Sequence, residues 1–141
     1  MQIGSLIKYH RTKMKITQSQ LAEGICSVPH LSKIEGNNKE GNVETIRLLL
    51  SRLEISVQDV EESEEKVQNL LKQLLHNIHY LEEEKAKRAI HELDEYSEII
   101  PFTKHIYVYE LYKLRYCLFT NDQEGAERQI KWLNSQKQNF S

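Results

Sequence analysis

A ten-residue stretch of this chain is echoed forty positions later with five identities, and nothing else in the sequence constrains its second half as strongly. Glu84-Lys85-Ala86-Lys87-Arg88-Ala89-Ile90-His91-Glu92-Leu93 lies over Glu124-Gly125-Ala126-Glu127-Arg128-Gln129-Ile130-Lys131-Trp132-Leu133, with Glu, Ala, Arg, Ile and Leu coinciding. At the same offset Leu71, Leu74 and Ile78 lie over Leu111, Leu114 and Leu118. Apolar spacings of three and four belong to helices, and a strand would alternate instead. A duplicated unit of this size, holding two such stripes, predicts two copies of a helical hairpin. The copies are expected over about 66–100 and 102–139, with breaks at Pro101 and around Thr120-Asn121-Asp122. Asn121 with Glu124 is the expected capping box of the last helix. Ala86 and Ala126 are small enough for close helix approach.

Composition agrees. The chain has 141 residues, 39% of them hydrophobic and 28% charged, with only five Gly and two Pro. That suits an all-α protein of long helices and short connections and speaks against an all-β fold. No apolar run approaches the roughly 20 residues that cross a bilayer, so no membrane partner is expected. The start, Met1-Gln2-Ile3-Gly4, lacks the basic and then apolar regions of a secretory signal. Cys26 and Cys117 form no CxxC pair and no disulfide framework, which suits a reducing cytoplasm. Net charge is -2. Its distribution is uneven: residues 1–33 carry Lys8, Arg11, Lys13, Lys15 and Lys33 against Glu23 alone. A basic start on an acidic body suggests that one end meets an anion.

Residues 1–60 contain five short helical patterns. Ile3, Leu6, Ile7 and Met14 mark the first, with Lys8, Arg11 and Lys15 on its other face. Thr17 caps the second, and Gln20 completes a capping box. Leu21, Ala22 and Ile25 give it an apolar side, and Gly24 stands where it stops. Ser27 caps the third, with Pro29 in the first turn, where the missing N–H costs nothing. Leu31 and Ile34 point inward, and Gly36-Asn37-Asn38 ends it. Asn42 caps a fourth helix with the expected buried stripe Val43, Ile46, Leu49, Leu50 and Leu53. Ile55 to Val60 reads as a turn and a short fifth helix. Residues 61–65, Glu-Glu-Ser-Glu-Glu, read as a linker or as the first turn of the next helix.

Thr17-Gln18-x-x-Leu21-Ala22, Leu31-Ser32-Lys33-Ile34-Glu35, and the Val43-to-Leu53 helix with Ile55-Ser56-Val57 behind it together resemble the Xre/Cro-type helix-turn-helix family across residues 3–60. Between Leu21 and Leu31 the chain is one residue shorter than the commonest form of that family, and the segment within it from Leu21 to Ser27 departs from that form. It is similar to the branch found in peptide-sensing bacterial regulators, the Rgg/PlcR/NprR group. The hairpins at 61–141 resemble tetratricopeptide-like repeats. The resemblance implies a five-helix DNA-binding domain at 1–60, followed by a repeat domain at 61–141 for dimerisation or partner binding. It implies a sequence-specific transcriptional regulator on double-stranded DNA, acting as a homodimer and more as repressor than activator. In such modules the second helix of the pair enters the major groove by its N-terminal half. Gln18 is then the expected phosphate contact. Ser27, Val28, Pro29, His30 and Lys33 form the expected base-reading face, with Asn37, Asn38 and Lys39 placed for backbone contacts. Glu35 is expected to be an internal partner of Arg11 or of a helix end, and Cys26 a small residue packed in the core.

Tyr109, Tyr112 and Tyr116 share one helical face. Two readings follow: packing within the repeats, with hydroxyls at the rim, or a surface for a partner or a signalling peptide. An alternative role is a short module that pairs with a longer paralogous regulator. His76, His79, His91 and His105 match no metal-ligand spacing, and no metal or cofactor is expected. Glu82, Glu83 and Glu84 fan around a helix and make no acid/base pair. No phosphate loop or nucleophile motif occurs, so an enzyme is not expected.

Overall fold

The computed structural model describes residues 1–37 and 42–136, and every regular element among them is helical. The chain divides into two compact units, one of residues 1–63 and one beginning at Glu64.

The first unit holds α1 (Ile3–Lys13), α2 (Gln18–Ala22), α3 (Val28–Glu35), α4 (Val43–Arg52) and the start of α5 (Val57–His79). Each start has a chemical cause. Thr17 Oγ1 accepts from the Gln20 N–H, and the Gln20 side chain accepts in return from the Thr17 N–H. Ser27 Oγ accepts from the His30 N–H, and Asn42 Oδ1 from the Thr45 N–H. These caps satisfy N–H groups that have no partner within a helix. Ile7, Leu21, Ala22, Leu31, Ile34, Leu49, Leu50 and Leu53 form the core of this unit. The stripe of α4 begins at Ile46, whereas Val43, expected inside, is 81% exposed. Val43 directly follows the cap, one turn before the helix reaches the core.

Residues 61–65 are neither linker nor first turn, because α5 continues through them as one helix of 23 residues. Nothing there stops a helix, and glutamate favours one. Val60, Val67 and Leu74 are spaced by seven and all buried, so the stripes on either side of the acidic segment are in phase.

The second unit holds the rest of α5, α6 (Glu83–Asp94), a 3-10 turn at Ile100–Phe102, α7 (Ile106–Phe119) and α8 (Gln123–Ser135). Its core joins Val67, Leu70, Leu71, Leu74 and Ile78 of α5 to Ala86, Ala89 and Leu93 of α6, Ile100, and Tyr109 of α7. The first hairpin was expected to reach residue 100, but α6 ends at Asp94. Turns and the Pro101 segment fill the gap to α7.

The turns between α5 and α6 and between α7 and α8 are the same turn, forty residues apart. The Glu82 N–H bonds the Asn77 carbonyl at 2.8 Å, and the Asp122 N–H bonds the Cys117 carbonyl at 2.8 Å. Leu81 has φ 58° and Asn121 φ 60°. Crossed carbonyl bonds around one left-handed residue make a Schellman end. The capping box expected at Asn121 and Glu124 does not form. Asn121 is the left-handed residue, and Asp122 Oδ1 caps α8 by accepting from the Gly125 N–H at 3.0 Å.

Candidate nucleic-acid interface

α2 and α3 are joined by the short segment 23–27, in which Gly24 has φ +75°. Leu21, Ala22, Leu31 and Ile34 anchor the two helices in the core and leave their opposite sides in solvent. On that solvent side of α3 the structure brings together Ser27, Val28, Pro29, His30 and Lys33, all exposed. Ser27 also caps the helix, its hydroxyl oxygen accepting from the His30 N–H, which leaves the O–H as a donor.

Gln18 and Glu35 are tied together. Arg11 Nε donates to Glu35 Oε2 at 2.7 Å, and a second Arg11 nitrogen donates to Oε1 at 3.0 Å. Gln18 Nε2 donates to the same Oε1 at 3.1 Å. A third Arg11 nitrogen reaches the Ile16 carbonyl at 3.0 Å. The Glu35 side chain is only 3% exposed, so its charge needs these donors. Glu35 is thus the internal partner of Arg11 that its position suggested, and α1, α2 and α3 are braced through one carboxylate. Gln18 is half-buried with one amide hydrogen spent on Glu35, and its amide carries a second. Arg11 drops out of the basic face, whereas Lys8 and Lys33 are exposed.

Asn37 has φ +57°, and its Nδ2 donates to Ser5 Oγ at 2.7 Å. Asn38 and Lys39 lie outside the described residues. Two contributors have no counterpart among the expected site residues. Gly4 is buried where α1 meets the end of α3, and a Cβ there would clash with the Ile34 carbonyl oxygen. A lone Gly inside a helical pattern is the signal that marks it. Arg52 donates from one nitrogen to the Leu21 carbonyl at 2.9 Å and to that of Glu23, covering the end of α2. Cys26 is half-buried against the core, and burial pushes its thiol pKa up.

The tyrosine face of α7 turns toward the core of the second unit. Tyr109 is buried in the core of the second unit, and Tyr112 and Tyr116 pack against that core half-buried. The Tyr109 hydroxyl meets Asp94 Oδ1 at 3.3 Å, and burial first, then the Asp94 charge, holds its pKa far up. Of the two readings, packing within the repeats describes Tyr109, whereas Tyr112 and Tyr116 keep part of their surface outside. Their rings supply apolar area that the small Ala86 and Ala89 leave room for. Among the described residues no group of three or more His, Cys, Asp or Glu is placed to hold a metal ion. No described helix is long and apolar enough to cross a membrane. No family model, curated protein or solved structure matches the chain.

Proposed function

We propose that the chain is a sequence-specific DNA-binding transcriptional regulator of the Xre/Cro type. In this reading α3 enters the major groove of double-stranded DNA. The observation that carries it is the exposed face Val28-Pro29-His30 with Lys33, on a helix locked behind by Leu31, Ile34 and the Arg11–Glu35–Gln18 brace. At eight residues α3 is about 12 Å long, comparable to the groove width. His30 donates to a base acceptor, Lys33 reaches a guanine edge or a phosphate, and Val28 with Pro29 packs on a thymine methyl. Gln18, turned by Glu35, offers its second amide hydrogen to a phosphate.

The second unit, with its duplicated turn, is read as two tetratricopeptide-like hairpins. The regulator is a homodimer on half-sites about one DNA turn, ~34 Å, apart, working in the cytoplasm and chiefly by repression. The test is fluorescence anisotropy on promoter-proximal duplexes across a salt range, with a His30→Ala/Lys33→Ala variant alongside. The expected result is tight, salt-steep binding that the variant loses. Binding no better than the variant's at low salt rejects the reading. A protein-pairing module then takes its place, favoured by Leu111 and Leu118 lying open on α7.

A further inference from the structure

The two copies of the hairpin differ in what covers them. In the first copy, Ile78, Ala86 and Ile90 belong to the core that receives Tyr109, Tyr112, Tyr116 and Phe119 of α7. In the second copy the positions forty residues on are Leu118, Ala126 and Ile130, and they line an open groove of about 280 Å³. Ile78 is 8% exposed, whereas Leu118 is 62% exposed. Leu71 is 3% exposed, whereas Leu111 is 46% exposed. The backbone turn, the small alanine and the flanking aliphatics are shared, but among the described residues no helix lies over the second groove as α7 lies over the first. A stacked repeat buries its apolar face on its neighbour.

We propose that the groove between α7 and α8 binds an amphipathic helix of a partner protein. That helix carries aromatic residues at the spacing of Tyr109, Tyr112 and Tyr116. The first copy shows the fit chemically, because there Ile78 and Ala86 share one core with Tyr109, and Tyr112, Tyr116 and Phe119 pack against it. A second copy of this chain is a poor occupant, since its own tyrosine face is already inside its core. The groove also carries the acidic side chains of Asp122 and Glu127, both exposed, which suit a helix with basic residues flanking its aromatic face. The surface lies wholly within the second unit and does not depend on the DNA-binding reading.

The probe is a fluorescein-labelled peptide of residues 104–121. It carries Val108→Glu, Leu111→Lys and Leu118→Glu for solubility and Cys117→Ser against oxidation. Titrated with the full chain, it is expected to bind saturably and to gain helicity, since a free helix this short is marginal in water. Leu118→Glu and Ile130→Glu in the full chain are expected to weaken binding at least tenfold. Both sites are exposed, so the thermal melt of each variant should match the parent. Tyr112→Ser/Tyr116→Ser in the peptide should abolish binding. No saturable binding, or binding that both chain variants leave unchanged, overturns the proposal. So does a chain that sediments as a dimer and is split by Leu118→Glu, which would make a second copy the occupant.

Discussion

Gln18 and Arg11 donate to the same carboxylate oxygen of Glu35. One buried acid therefore sets both the angle between α1 and α3 and the direction in which the Gln18 amide points. Glu35→Ala is expected to destabilise the first unit by about 3 kcal/mol, because it leaves the Arg11 guanidinium with poor compensation. Gln18→Ala should cost only about 1 kcal/mol, one hydrogen bond at a partly exposed site. Urea unfolding of both variants checks the ranking, and equal losses would contradict it.

Gly4→Ala sets two effects against each other. Alanine gains about 1 kcal/mol over glycine in a helix. Its Cβ, however, would stand inside van der Waals contact of the Ile34 carbonyl oxygen and 2.6 Å from Asn37 Oδ1. A backbone atom cannot rotate away, and overpacking of this kind costs about 1–3 kcal/mol or more. The expected outcome is a lower urea midpoint than the parent's.

Leu81→Gly should raise stability. A left-handed φ costs a side-chain-bearing residue about 1–2 kcal/mol, and Leu81 stands at φ 58° with its side chain 76% exposed. Little packing is lost on removing it. A gain of about 1 kcal/mol is expected by thermal or urea denaturation, and a loss would mean the leucine is held by something.

Tyr109 predicts an alkaline weakness. Its native pKa is raised, so the native state keeps the phenol proton after an unfolded tyrosine has lost its own near pH 10. Stability from this group is complete below about pH 10 and falls as pH rises further. Tyr109→Phe keeps the ring, loses the Asp94 contact, and should flatten that decline. Urea midpoints between pH 8 and 11 for both proteins test it.

How far the fold could be read follows from where its signals sit. Helix starts were legible because Thr17, Ser27 and Asn42 act through their own side chains. Helix ends were much less so. Five ends turn on Lys15, Asn37, Glu54, Leu81 and Asn121 at positive φ, not on glycine. Gly36 sits one place too early, at φ -84°. The length of α5 was missed because a run of four glutamates around Ser63 reads as a linker by composition, although no residue in it breaks a helix. For the site, the outward residues of α3 were legible as the complement of Leu31 and Ile34. The tyrosines were placed on one face correctly, but periodicity does not say whether that face meets water or α5. Arg52 acts across 31 residues on the Leu21 carbonyl, and no local pattern announces such a contact.

The two hairpin turns are bonded chiefly through backbone N–H and carbonyl groups, with one side-chain cap in the second. The shape therefore rests little on side chains, and Leu81 and Asn121 differ in identity while keeping one backbone conformation. An inserted or deleted residue is another matter, for it would move every crossed bond to the wrong carbonyl. In a lineage of such chains the length of these loops should vary less than their letters.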